Sequence, residues 1–248
     1  RSWRPSRILS VGALPLTVYL LLLLVIPTLV LGLYSVWTPE FYAVAHIFTA
    51  QNYLSVFTQA LYVKLLLKSL IIGAICSTIM ALMGCGVAYA LSFKLRRRGS
   101  LILMVIMSTL LCSYAVRVFA WSTILGPNGL LNKGMLDLHL IRAPLTFLLY
   151  GYFSVILVLV YVYLPIAILP MYAGFQDIDP HTIEASRDLG ATPLETFRRV
   201  VLPLAWPGFR TALIFGFILT AGDYVTPSLI GGVQGEMIGN IINDQFTN

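Results

Sequence analysis

Between Gly12 and Trp37 the chain runs for 26 residues without a charge, and it does so again for 25 residues from Ser69 to Phe93 and for 34 from Ala143 to Gln176. At 1.5 Å per residue, about 20 residues of α-helix cross the hydrocarbon core of a bilayer. Only a backbone that satisfies its own hydrogen bonds is stable there, so runs of this length commit the chain to membrane-spanning helices. Composition agrees, with 58% of the 248 residues hydrophobic and 10% charged; soluble domains carry about a quarter. A cleaved signal peptide does not explain the first run, which is too long for an h-region and has no clean small-x-small cleavage site after it.

Five spans are expected, at about 12–37, 69–93, 99–120, 147–173 and 203–223, within one domain over 1–248. Pro27 is expected to kink the first, because a mid-helix proline cannot donate the i−4 bond. Gly73, Ala74, Ala81, Gly84, Gly86, Ala88 and Ala90 stud the second, which should therefore sit inside the bundle, since small residues let helices approach closely in lipid. The third should end near Arg117, snorkelling or turned into a cavity, with a turn at "GPNG". Pro165 and Pro170 should make the second half of the fourth irregular. The fifth is interrupted by Arg210 and ends at Asp223. The tail "GGVQGEMIGNIINDQFTN" is too polar for a sixth.

Charge sets the expected orientation. Of the 16 Lys and Arg, ten (Arg1, Arg4, Arg7, Lys94, Arg96, Arg97, Arg98, Arg187, Arg198 and Arg199) fall on one side, and Lys64, Lys68, Lys133 and Arg142 on the other. The positive-inside bias then makes the N-terminus and the segment 176–203 cytoplasmic, and puts the loops at 38–63 and 127–144 outside. The net charge of +6 records this bias, and no basic patch interleaved with aromatics points to nucleic acid. Cys76, Cys85 and Cys112 sit in apolar runs as packing residues, and His46, His139 and His181 are scattered, so no metal site is expected.

Against this background "IEASRDLGATPLETFRRVVLPLAWPG", residues 183–208, is conspicuously polar. Asp179 reads as an N-cap with Pro180 at N1, and the helix should stop at Gly190 as the C′ residue. A second helix starts at "TPLE", a capping box of Thr192 and Glu195, and should run to about Val201, with Pro203 ending it. Such a segment either lies on the membrane as an amphipathic re-entry piece or forms a rigid helix pair presented to a cytoplasmic partner.

The stretch "EASRDLGATPLETFRRVVLP" resembles the cytoplasmic loop of permease subunits of binding-protein-dependent ABC importers, with Glu184, Ala185, Gly190, Leu202 and Pro203 at the family positions and Ser186 where alanine is usual. "RVFAWSTILGPNGLLN", "GDYVTPSLIGG" and "MIGNIINDQF" are similar to the spermidine/putrescine branch, so the resemblance covers essentially the whole chain. It implies an all-α membrane protein of the type I importer bundle in a bacterial inner membrane, with five of six expected spans present and the last missing. It also implies a cytoplasmic ABC ATPase dimer carrying ATP and Mg, a second homologous permease and an extracytoplasmic solute-binding protein, while this chain binds no cofactor. Coupling to the ATPase would fall to Glu184, Ala185, Ser186, Gly190, Phe197, Leu202 and Pro203. The chain has no GxxxxGK loop of its own.

Asp223 is the candidate for the cargo route, as an acid at membrane depth able to face a cationic amine, with Tyr224, Tyr114, Trp121 and Tyr89 offering cation–π surface and Arg117 close to a span end. Equally, Asp223 can cap a helix or pair with Arg117 or Arg210, and aromatics at span ends can be interface anchors. Polyamine is the expected cargo; opines, amino-acid-like amines and ferric iron are the alternatives. A membrane-embedded enzyme or passive channel is the rival class, but no paired carboxylates, His cluster or serine with a base is visible.

Overall fold

The computed structural model describes residues 7–40, 43–95, 97–145 and 148–247; Arg1, Arg4 and Arg96, counted in the charge bias, lie outside them. Where the sequence implies one domain, contacts gather into two compact units, Arg1–Val63 and Lys64–Asn248.

In the first unit, α1 (Arg7–Ser35) runs unbroken through Pro15 and Pro27. It is followed by a hairpin of β1 (Trp37–Glu40) and β2 (Ala43–Phe48), antiparallel with Thr38 opposite Ala45. The expected all-α fold thus carries one small sheet, built from the β-branched and aromatic residues Trp37, Thr38, Val44, Ile47 and Phe48. The short helix α2 (Gln51–Thr58) closes the unit: Asn52 donates to the carbonyls of Ser35 and Trp37 at 2.9 and 2.8 Å, satisfying an acceptor that the end of α1 leaves open.

The second unit is built around α3 (Ala60–Tyr89), α7 (Tyr152–Gln176) and α11 (Trp206–Ala221). A π turn, Ala90–Lys94, extends α3. Between α3 and α7 lie α4 (Gly99–Ser108), α5 (Tyr114–Leu125) and α6 (Leu130–Asp137). After α7 come α8 (Pro180–Asp188), α9 (Pro193–Thr196) and α10 (Leu202–Leu204); after α11 come α12 (Gly232–Gly235) and α13 (Ile238–Thr247). One buried cluster joins α3, α7 and α11 through Met80, Ala81, Leu159, Ile168, Met171 and Ala212. A second lies on another face of α7, where Val158 and Val162 meet Val118 and Leu125 of α5 and Ile230. α7 is therefore the element on which both clusters are built.

Small residues make these approaches possible. A Cβ on Gly208 would stand 2.5 Å from the Pro170 carbonyl oxygen, and one on Gly73 would stand 2.9 Å from Cβ of Ala221. The small-residue face of α3 is only partly enclosed: Gly73, Ala81, Gly84 and Ala88 are buried, whereas Ala74 and Gly86 are exposed.

Among the described residues three helices are long and apolar enough to span, Leu14–Ser35, Ala60–Lys94 and Tyr152–Gln176, and five if two bent pairs each count as one. The expected third span, 99–120, is the first of those pairs: the chain turns by 90° between Leu111 and Tyr114, which lays Tyr114 and Arg117 against α7. Pro165 and Pro170 do not make α7 irregular, since the helix is continuous through both. Nor does Pro203 end the second polar helix, which continues to Leu204. Ahead of it Phe197–Val201 widens into a π turn, with the Leu202 N–H reaching back to the Phe197 carbonyl, a register that accommodates a ring unable to donate. The break falls at Ala205, where the second bent pair turns by 67°.

Candidate functional site

Two places gather the residues singled out in the sequence. The first is the helix pair around Gly190. The Asp179 carboxylate accepts from the His181 N–H at 2.9 Å with Pro180 at N1, so α8 opens on a complete N-cap. Its other end is a Schellman motif: the Gly190 N–H donates to the Arg187 carbonyl at 2.8 Å and the Ala191 N–H to the Ser186 carbonyl at 3.2 Å. Gly190 holds φ +85, the left-handed conformation this motif needs. The next helix opens on the capping box, with Thr192 N–H donating to Glu195 at 3.0 Å and Glu195 N–H to the Thr192 hydroxyl at 3.3 Å. The Thr192 N–H first, and then the Thr192 hydroxyl, which donates to the Glu195 carboxylate at 2.9 Å, hold that carboxyl below its usual value.

The pair is also pinned across the glycine. The Ser186 and Thr196 hydroxyls bond at 3.0 Å, so Ser186 bridges the two helices. Glu184 and Ala185 are exposed, and Glu184 faces His181 at 3.3 Å. Phe197 turns the other way. Its ring meets Tyr89 edge-on at 5.3 Å, and Tyr89 in turn packs on Phe93 and Phe175, so Phe197 ties the pair to α3 and α7. Leu202 lines a groove of about 590 Å³ beside it with Cys85, Trp206 and Phe209, and Pro203 is exposed. Sequence reasoning missed Leu189 and Leu194, which stand 89% and 74% exposed on either side of Gly190. Their signal was available: an apolar residue next to the C′ glycine and another just after the proline of the following helix.

The second place is Asp223, which is 6% exposed. Its Oδ1 accepts from the N–H groups of Val225 and Thr226 at 2.9 and 3.3 Å, so it caps the turn that begins at Tyr224. Its Oδ2 takes hydroxyls from Tyr114, from Tyr163 at 3.3 Å and from Thr226 at 3.1 Å. Among the described residues it forms no ion pair with either arginine. Arg117, one turn along α5 from Tyr114, instead donates from Nη1 to the Val162 carbonyl at 3.3 Å, and its buried Nε has no partner there. Arg210 lies near the far end of α11, about 20 Å away at 1.5 Å per residue.

Of the aromatics named with Asp223, the structure brings Tyr114 to it. Tyr224 is adjacent and 43% exposed, and its carbonyl is held by Asn240. Trp121 stacks edge-on with Tyr161 at 5.2 Å, and Tyr89 belongs to the aromatic group under the helix pair. Tyr163 and Thr226 were not foreseen. Thr226 was legible as the N3 partner of a capping aspartate, whereas Tyr163 comes from α7, and no local pattern links it to residue 223. No group of three His, Cys, Asp or Glu able to hold a metal occurs among the described residues.

The family model described as "binding-protein-dependent transport system inner membrane component" matches residues 7–248. The spermidine/putrescine transport system permease protein PotB of Haemophilus influenzae is 30% identical over 231 residues, which cover 92% of this chain and 79% of that one. The inner membrane ABC transporter permease protein YdcU of Escherichia coli is 32% identical over 208 residues, 79% of this chain and 66% of that one. A solved chain described as an amino acid ABC transporter with histidines aligns at 21% identity with a TM-score of 0.47, over 85% of this chain and 86% of the other.

Proposed function

The chain belongs to the binding-protein-dependent transport system inner membrane component family and is a permease subunit of an ABC-type importer; from that premise we propose that it passes a small cationic amine, polyamine first, from an extracytoplasmic binding protein to the cytoplasm. In this reading the chain contributes five spans, at about 12–37, 69–93, 99–120, 147–173 and 203–223, to a type I bundle in the bacterial inner membrane. The N-terminus and residues 176–203 face the cytoplasm. A second permease completes the pathway, and hydrolysis of ATP with Mg takes place on a separate ATPase pair.

The helix pair 180–201 is the docking element. Glu184, Ala185, Ser186 and Gly190 form its body, and the exposed Leu189 and Leu194 are the apolar tips that a groove on the ATPase would cover. Closure of the ATPase pair on ATP would move this element, and Phe197 with Leu202 would pass the movement to α3 and α7 through the Tyr89 group. A pair that is capped at both N-termini and bridged by Ser186 and Thr196 moves as one body, which suits it to gating by alternating access.

The observation that carries the cargo is the buried Asp223 carboxylate, met by hydroxyls and by no cation among the described residues. Oδ1 is committed to the backbone cap, so Oδ2 is the oxygen an ammonium group would reach, displacing a tyrosine hydroxyl in a low-dielectric setting. Tyr114, Tyr163, Tyr224 and Trp121 would supply faces along such a route, and the similarity to PotB of Haemophilus influenzae, by its name a spermidine/putrescine permease, supports taking polyamine as the first amine to test. The test is uptake by the reconstituted complex with its own binding protein, comparing labelled spermidine and putrescine with an opine and an amino acid. Asp223→Asn keeps the cap and removes the charge, and uptake is expected to fall about tenfold, the effect of some 1.4 kcal/mol. Absence of polyamine uptake overturns the cargo; undiminished uptake in the variant keeps the cargo and discards the site.

A further inference from the structure

α3 and α7 are the two long unbent helices of the second unit, both apolar enough to span, and a groove of about 390 Å³ runs between them. Leu67, Ile71 and Ile75 line it from α3 and Ile156 from α7, and all but Ile156 are exposed. Within a span an exposed apolar surface meets acyl chains, and lipid tails are as apolar as the side chains, so the hydrophobic effect does not favour a protein segment over a lipid tail there. The chemistry of the occupant is decided at the groove's end, where Lys64 and Lys68 stand one turn apart on the same face of α3. Tyr152, at the start of α7, shares that end, as expected at the boundary between hydrocarbon and headgroups.

We propose that this groove holds one anionic glycerophospholipid, its acyl chain along Leu67, Ile71, Ile75 and Ile156 and its phosphate on Lys64 and Lys68. An ammonium has three donors. That of Lys68 gives one to the Gln234 carbonyl of α12 and lies 4.9 Å from the centre of the Tyr152 ring, which fixes its position and leaves donor capacity toward the groove. Lys64 is exposed and pairs with no acidic side chain among the described residues. These two are also half of the four cations set against the charge bias of the chain, so the positive-inside rule gives no account of them, whereas an anionic headgroup does. Because Lys68 also joins α3 to α12 next to the bond from the Ile238 N–H to the Ser69 hydroxyl at 2.8 Å, the bound lipid would brace the segment that follows Asp223. The inference is independent of which cargo is carried.

The complete importer, purified in detergent, is titrated with dioleoyl phosphatidylglycerol or dioleoyl phosphatidylcholine, and bound lipid is counted by native mass spectrometry. One phosphatidylglycerol per copy of this subunit is expected to bind saturably in preference to phosphatidylcholine. Each charge removed should weaken it about fivefold, so Lys64→Gln about fivefold and Lys64→Gln with Lys68→Gln about 25-fold. Lys64→Arg should retain binding, and Lys64→Gln is the clean variant because Lys68 also holds Gln234. Equal binding of the two lipids, or unchanged binding in Lys64→Gln, overturns the proposal. A photoactivatable side chain placed at Ile71 should label lipid; labelling of the second permease or of another protein segment instead overturns it as well.

Discussion

At the scale of single residues, Gly190 separates backbone from packing unusually well. It holds φ +85, yet a Cβ there would meet nothing within 4 Å, so any cost of a side chain is conformational. Gly190→Ala should destabilise the helix pair by about 1 kcal/mol, and Gly190→Asn by less, since asparagine visits the left-handed region more readily. Gly86 is the control: it is also unobstructed but lies inside α3, so Gly86→Ala should stabilise by about 0.5–1 kcal/mol. Thermal unfolding of the assembled importer checks both signs, and an equal response at the two positions would refute the conformational account. Glu195 offers a pH test. Its folded pKa is lowered, so the capping bonds contribute fully above the ordinary value of 4.5 and are lost as pH falls through the lower folded value. The difference in amide protection at Thr192 between the wild type and Glu195→Gln should be flat above 4.5 and change only below it.

At the scale of elements, the polar helix pair and the bundle meet through α11, whose start packs on the end of α7. Gly208 makes that approach possible, with the Pro170 carbonyl where its Cβ would be. Gly208→Val must push the helices apart, and overpacking of this kind costs about 1–3 kcal/mol. It should lower both thermal stability and ATP-driven uptake, whereas the same change at Gly86, on an exposed face, should lower neither by a comparable amount. Normal stability of the Gly208 variant would mean that α7 and α11 are not in contact in the membrane. The two bent pairs belong to this scale as well. A break at Ala205 lets the polar helix pair leave the direction of α11, and the turn at Cys112–Ser113 brings Tyr114 to Asp223.

For the whole molecule, the testable property is orientation. Ten Lys and Arg against four would put the helix pair on the cytoplasmic side and the "GPNG" turn outside. With Cys76, Cys85 and the exposed Cys112 first replaced by serine, a cysteine placed at Glu195 should be shielded from a membrane-impermeant thiol reagent in intact cells, and one at Asn128 should react. Labelling at 195 from outside would reverse the topology and remove the docking role.

How much of this was readable in the chain divides along a physical line. The apolar helices found at Ala60–Lys94 and Tyr152–Gln176, where spans were expected at about 69–93 and 147–173, the caps at Asp179 and Thr192 and the positive φ at Gly190 depend on hydropathy over a window or on neighbours within four residues, and the linear order carries that information. The 90° break before Tyr114 and the continuity of α7 through Pro165 and Pro170 depend on what packs alongside, and the local pattern misjudged both. The same holds for the Asp223 group. An aspartate three residues before a threonine announces a cap, but Tyr114 stands 109 positions away and Tyr163 stands 60 away. Sequence alone determined that the chain crosses a membrane and presents a capped helix pair to one side, because bilayer thickness and backbone hydrogen bonding act locally. Which side chains surround the buried acid was decided only when α5 and α7 were brought against the turn after α11, because a contact between distant elements belongs to the packed bundle and to no stretch of the chain.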